Sequence, residues 1–187
     1  MDISYNILGK FCEYFRKIAL DSHNQILGDN NYQYFQSSLE FVQKALNAIK
    51  SREANFNNMK FLDMGSGTGA NCYIATSIGF KAEGIEIIPI LYEISKQIFP
   101  EIQFHNINVG DFNNYGDYDI IFYWLPFREP KLMQEFKKKV EDSIRIGSYI
   151  IVAEEEVQYC GKDERFIKLD YPSNINGIHD KIWQKIK

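Results

Sequence analysis

Cysteine is scarce in this chain: Cys12, Cys72 and Cys160 are the only 3 in 187 residues, widely spaced and with no C-x-x-C pair. An odd, scattered set of this kind argues against a disulfide framework and points to reduced thiols in a cytoplasmic protein. Histidine is equally rare, and His23, His105 and His179 lack metal-ligand spacing, so no metal site is expected. No apolar run approaches the ~20 residues of a membrane span. The segment Met1-Asp2-Ile3-Ser4-Tyr5 lacks the basic stretch and apolar core of a secretory signal. The expectation is a cytoplasmic protein with no membrane partner. Excess positive charge is missing too, with Lys+Arg 21 against Asp+Glu 25 and a net charge of −4. Sequence-independent nucleic-acid affinity comes largely from basic side chains neutralising phosphates, so nucleic acid is the less favoured partner. The one basic triple, Lys137-Lys138-Lys139, falls within an amphipathic helix, where its expected place is the solvated face. No internal repeat or low-complexity tract is visible.

Aromatic residues, by contrast, are plentiful (12 Tyr, 14 Phe, 2 Trp), and 187 residues suffice for one domain with a substantial core. Ile7, Leu8, Phe11, Phe15 and Ile18 recur at helical spacing and predict an amphipathic helix near 3–19. Asp21 to Asn31 reads as a loop. Ser37-Ser38-Leu39-Glu40 fits a capping box, with the Ser37 hydroxyl as N-cap. Phe41, Val42, Ala45, Leu46 and Ile49 then line one face up to about Lys50. Residues 1–55 are accordingly read as a helical cap on a core formed by 56–187.

In the core, short apolar runs alternate with helical segments, the mark of a parallel sheet. The strand candidates are Lys60–Met64, Lys81–Glu86, Ile102–Ile107, Tyr118–Trp124 and Ser148–Ala153. A helix from about Ala70 to Ile78 ends at Gly79. Pro89 opens another, whose buried stripe is Ile90, Leu91, Ile94 and Ile98, and Pro100 closes it. Pro130 opens a third, with Leu132, Met133, Phe136, Val140 and Ile144 facing inward and Gly147 just beyond its end. Phe166–Asp170 and Lys181–Lys187 are two further, weaker strand candidates.

The richest stretch is Phe61-Leu62-Asp63-Met64-Gly65-Ser66-Gly67-Thr68-Gly69-Ala70, with Gly84-Ile85-Glu86 about twenty positions downstream. Alternate glycines let backbone approach a nucleoside cofactor, and an acid ending the next strand can hold ribose hydroxyls. Two cofactors compete. Gly65, Gly67 and Ala70 satisfy the dinucleotide pattern G-x-G-x-x-G/A, whereas Gly65, Gly67 and Gly69 satisfy G-x-G-x-G with an acid two residues ahead. A carboxylate at Asp63 would oppose the pyrophosphate of a dinucleotide. It would attract S-adenosylmethionine, which carries an ammonium and a sulfonium and no phosphate.

On these residues, together with Gly84-Ile85-Glu86-Ile87, Asn108-Val109-Gly110-Asp111-Phe112 and Tyr118-Asp119-Ile120-Ile121-Phe122-Tyr123-Trp124-Leu125-Pro126-Phe127, the chain resembles the class I (seven-stranded) S-adenosylmethionine-dependent methyltransferases from about Met59 to Glu156. The resemblance implies an α/β fold: a Rossmann-like doubly wound sheet of about seven strands, mostly parallel with an antiparallel last strand, preceded by N-terminal helices. It implies an S-adenosylmethionine-dependent methyltransferase with Asp63, Gly65, Ser66, Gly67 and Gly69 at the methionine and ribose portion. Glu86 would accept from the ribose, Ile87 would pack on adenine, and Asp111 and Phe112 would meet its amino group and ring. Tyr123 and Trp124 would lie beside the reacting methyl, where aromatic faces favour a sulfonium or a cationic amine.

The acceptor is less legible. An Asn-Pro-Pro-Tyr type motif is absent, which disfavours adenine or glutamine amide nitrogens. Glu154-Glu155-Glu156 follows the fifth strand and could attract a protonated amine or stand as a solvated strand exit. The connection Glu154 to Arg165 is short. It suggests an open acceptor side, completed by the N-terminal helices, by a second subunit of a homo-oligomer, or by the acceptor itself. Asn31 to Gln36, rich in aromatics, is a candidate cover or a packed joint. These features, with a faint likeness to seven-stranded protein lysine methyltransferases, favour a protein side chain or a small molecule as acceptor. RNA or DNA methylation and a non-catalytic donor-binding subunit are the alternatives.

Overall fold

Ser38, one residue later than the capping-box pattern suggests, opens the first helix of the computed structural model, which describes residues 38–124, 126–127, 129–152, 163–169 and 181–187. Its hydroxyl accepts from the Phe41 amide at 3.3 Å, satisfying one of the free N–H groups at the helix start. Glu40 therefore falls inside the first turn, where it pairs with Lys44 at 2.8 Å. The helix α1 (Leu39–Lys50) buries Phe41, Val42, Ala45, Leu46 and Ile49, as their spacing predicts. The expected helix near 3–19, the Asn31 to Gln36 segment, Ser37, Leu125 and Glu154-Glu155-Glu156 lie outside the described residues.

The sheet follows with β1 (Lys60–Met64), β2 (Lys81–Ile85), β3 (Gln103–His105), β4 (Ile120–Tyr123), β5 (Tyr149–Val152), β6 (Phe166–Leu169) and β7 (Lys181–Lys185). Their order is β3-β2-β1-β4-β5-β7-β6. All pairings among β1, β2, β3, β4 and β5 are parallel, while β7 runs antiparallel to both β5 and β6. The β4 and β5 sequences Ile-Ile-Phe-Tyr and Tyr-Ile-Ile-Val are apolar throughout because both faces of the sheet are covered.

Between β1 and β2 runs α2 (Ala70–Ile78), ended by Gly79 in the left-handed conformation. It shares one core layer with α1, against Phe61, Phe122 and Tyr149. Helix α3 (Pro89–Ile98) extends that layer through Phe99, stacked on Tyr73 at 5.0 Å. Its buried row is Leu91 and Ser95; Ile90, Ile94 and Ile98 are only half-buried, at the margin of the expected stripe. The opposite layer is α4 (Pro130–Ser143), which packs Met133, Phe136 and Val140 onto Leu62, Ile121 and Ile150.

Two expectations for α4 fail. Leu132 is 44% exposed, because the inward face runs through 133, 136, 137, 140 and 141, leaving residue 132 at its rim. Lys137 is buried on that same face, so only part of the lysine triple is solvated. Lys138 pairs with Asp142 on the outside, and Lys139 donates to the Gly110 carbonyl at 2.7 Å. At the other end of α4 the buried Lys185 ammonium donates to the Glu141 and Ile144 carbonyls at 2.7 and 2.9 Å, supplying donors to a helix terminus whose carbonyls would otherwise lack them.

Candidate functional site

The loop after β1 is held by the end of β2. The Gly65 and Ser66 amides both donate to the Ile85 carbonyl, at 2.9 and 2.8 Å, and the Gly69 amide turns back onto the Ser66 carbonyl at 2.8 Å. This course needs positive φ at Gly65, Gly67 and Gly69 (87°, 55° and 86°), which residues with a Cβ rarely adopt. The two sides of the loop differ. A Cβ at Gly65 would meet nothing within 4 Å, so open space lies over the turn. At Gly84, beneath the loop, a Cβ would come within 2.7 Å of the Ser66 hydroxyl and of the Phe104 ring, so bare backbone is required there.

Glu86, directly after β2, is 4% exposed and fastens the loop from below. Its Oε2 accepts from the Gly67 amide at 2.7 Å and its Oε1 from the Ile88 amide at 2.8 Å. Burial raises its pKa, and the backbone donors work against that rise. Asp63 sits at 0% exposure on β1. Burial pushes its pKa up to about 7, with the Asn71 side chain opposing the shift and the Glu86 charge adding to it. The Cys72 thiol lies 4.0 Å from Asp63 Oδ2 and has its own pKa driven well up by burial and by this carboxylate. Among the described residues, Asp63 Oδ1, Ser66 Oγ and Thr68 Oγ1 are buried without a hydrogen-bond partner, as is Trp183 Nε1 on β7, away from this loop. Three such atoms within six residues are unusual, since buried polar groups are normally paired.

Next to Glu86, Ile87 is 38% exposed, an apolar platform facing outward. Across from it, the turn Val109–Asp111 follows β3 and is braced on several sides. Asn108 Oδ1 accepts from the Gly110 amide at 2.8 Å, and the Tyr115 hydroxyl donates to the Val109 carbonyl at 2.6 Å. Asp111 is exposed at the tip of this turn, whereas Phe112 is buried against Tyr115 and Tyr118, with ring centroids 5.2 and 6.0 Å away.

Tyr123 and Trp124 diverge at the end of β4, because successive strand residues point to opposite faces. Tyr123 is fully buried, its ring edge-on to Phe136 at 5.3 Å in the α4 layer. Trp124 is partly buried on the α1–α2 side. Gly65 to Gly69, Asp63, Glu86 and Ile87 thus meet at the carboxyl ends of β1 and β2, and Asp111 and Trp124 follow the neighbouring strands. Asn71 and Asn106 also border these residues and belong to none of the motifs, whereas Thr68 lies within the glycine loop. The Asn106 Nδ2 donates to the Glu86 and Ile87 carbonyls at 2.8 and 3.2 Å. No local pattern marks it; a polar residue just beyond a strand is the only hint.

No protein-family model and no curated protein matches the chain. Solved structures do resemble it. The magnesium protoporphyrin IX methyltransferase of Synechocystis, with bound S-adenosylmethionine, superposes with a TM-score of 0.59 over 100% of both chains at 14% identity. An RNA methyltransferase of Salinibacter ruber, in complex with S-adenosylhomocysteine, gives a TM-score of 0.58 at 15% identity, covering 76% of this chain and 91% of its own. A TehB-like S-adenosylmethionine-dependent methyltransferase of Corynebacterium glutamicum gives 0.59 at 15% identity, over 92% and 98%. With its strand order and antiparallel β7, the chain has the seven-stranded, Rossmann-like fold of the class I methyltransferases.

Proposed function

We propose that this chain is an S-adenosylmethionine-dependent methyltransferase acting on a nucleophile of a protein side chain or a small molecule. The observation that carries the reading is the buried, unpartnered Oδ1 of Asp63, set beside a loop with open space over Gly65. A buried carboxylate with one oxygen left unpaired and, among the described residues, no cation beside it calls for one, and an amino-acid ammonium supplies it. A pyrophosphate would bring more negative charge to two buried carboxylates, which disfavours a dinucleotide.

Asp63 holds the ammonium, while Ser66 and Thr68 offer hydroxyls and Gly65, Gly67 and Gly69 let the backbone approach. Each Glu86 oxygen already accepts one backbone N–H and keeps a second lone pair for a ribose hydroxyl. Ile87 packs on adenine, Asp111 accepts from its amino group, and Phe112 supports that wall from beneath. When bound, the donor supplies an electrophilic methyl on a positive sulfur. Transfer is an in-line displacement, so the chain's task is to align the acceptor lone pair and exclude water. Trp124, the less buried of the β4 pair, offers an aromatic face there; Tyr123 shapes the floor.

A protein or small-molecule acceptor is supported by the net charge of −4. The second reading, RNA methylation, draws on the likeness to the Salinibacter RNA methyltransferase. It predicts steeply salt-dependent RNA binding. Calorimetry with S-adenosylmethionine, S-adenosylhomocysteine and NAD tests the donor: binding of the first two alone supports the reading, and NAD binding in their place refutes it. Labelled donor incubated with fractionated host lysate then identifies the acceptor class. Donor binding with no transfer to any fraction would favour the non-catalytic subunit.

A further inference from the structure

Between β2 and β3 the regular ladder ends where the Glu86 amide donates to the His105 carbonyl at 3.0 Å. Beyond that rung the two chains should part. Instead the next residue, Asn106, continues the pairing with its side chain: Nδ2 donates to the Glu86 carbonyl at 2.8 Å and to the Ile87 carbonyl at 3.2 Å. Both N–H bonds of one amide are spent on two successive peptide units. Those units carry Glu86, whose carboxylate fastens Gly67 and Ile88, and Ile87, the exposed apolar platform. The side chain itself is exposed, so water can replace its bonds to the carbonyls and the core does not depend on it.

We propose that Asn106 is a positioning residue for the nucleoside half of the donor. It holds the 86–87 backbone at the height and angle at which the Glu86 carboxylate meets the ribose and Ile87 meets adenine. This inference rests on the donor reading above and adds a residue that no motif contains. It also predicts where the energy is felt: in the nucleoside, through Glu86, and not at the methionine end.

The test is calorimetric binding of S-adenosylhomocysteine and of adenosine to the full chain and to Asn106→Ala, Asn106→Asp, Glu86→Gln and the Asn106→Ala/Glu86→Gln double variant, with thermal unfolding recorded for each. Asn106→Ala should weaken both ligands by the same factor, about tenfold, the scale set by two lost hydrogen bonds. Asn106→Asp, which turns a carboxylate toward two carbonyl oxygens, should weaken them further. Because Asn106 acts largely through Glu86, the double variant should lose clearly less than the product of the two single effects. Affinities within twofold of the parent in both Asn106 variants would overturn the proposal. So would fully multiplicative effects in the double variant, or loss of the fold in both Asn106 variants, which would make the residue structural. A parent protein that binds neither ligand would instead sink the donor reading itself, and this inference with it.

Discussion

The two ends of the sheet treat polar side chains in opposite ways. At the amino ends of β1, β4 and β5 lies a cavity of about 250 Å³, lined by Glu53, Asn55, Asp119, Arg145, Gly147 and Gln184 among others. It has the look of a binding site, yet its principal polar groups are engaged. Asp119 accepts from the Lys60 amide and from Arg145, each at 2.8 Å. The Tyr149 hydroxyl donates to Glu53 and accepts from Gln184. At the carboxyl ends, Asp63, Ser66 and Thr68 are more deeply buried and keep atoms without partners. Saturated polar groups at one end hold the fold together; unsatisfied ones at the other carry a standing cost that a ligand can relieve.

The contrast is sharpest at Asp63. Asp63→Asn should reduce affinity for S-adenosylhomocysteine about a hundredfold, as expected when one member of a buried charge pair is neutralised. The ligand-free variant should also melt higher than the parent at pH 8, by about 5 °C. The sign follows from the raised pKa. Between the unfolded value of 3.8 and about 7, the folded state retains a proton that the unfolded state has lost. The parent's stability therefore falls as pH rises through that window, and the deficit persists above it. Asparagine carries no such penalty. A variant that loses donor affinity with no gain in stability would mean that the buried carboxylate costs nothing.

If Asp63 meets the donor, the same ionisation should make donor affinity pH-dependent. Below pH 7 a proton must leave Asp63 before the ammonium can pair with it, so affinity should fall about tenfold per pH unit and level off above pH 7. Calorimetry from pH 5.5 to 8.5 measures this, and Asp63→Asn should flatten the profile. A pH-independent parent would break the link between the orphaned oxygen and the ligand.

At the opposite end the pattern should reverse. Asp119→Ala removes the acceptor of the Lys60 amide and the partner of Arg145, and should lower stability by about 0.5–1.5 kcal/mol while leaving donor affinity unchanged. Chemical denaturation beside the same calorimetry checks both halves. The smallest effect belongs to Lys138→Ala on the outer face of α4. There an exposed pair with Asp142 should contribute under about 0.5 kcal/mol.

The glycine loop and the strands were legible because backbone demands leave marks in sequence: positive φ selects glycine, and a doubly covered strand must be apolar throughout. Side-chain partnerships left fewer marks. The helix start was misplaced by one residue because Ser37 and Ser38 are chemically equivalent caps, and only the backbone course chooses between them. Lys137 shares the charge of its neighbours, but its place four residues after Met133 and three before Val140 puts it on the buried row. Tyr123 and Trp124 form one motif in sequence and two environments in space, an outcome set by strand alternation. Asn106 leaves no mark in the sequence. Its partners are carbonyl oxygens, which every residue possesses.

The position of β7 has a bearing on how the chain is made. A later strand is slotted between two earlier ones, so the outer edge of β5 cannot be capped until residues 181–185 leave the ribosome. During that interval β5 presents an open row of backbone donors and acceptors above an apolar Tyr-Ile-Ile-Val sequence, the kind of edge that recruits stray strands. Nascent chains stalled before Lys181 should accordingly be the species that chaperones hold longest.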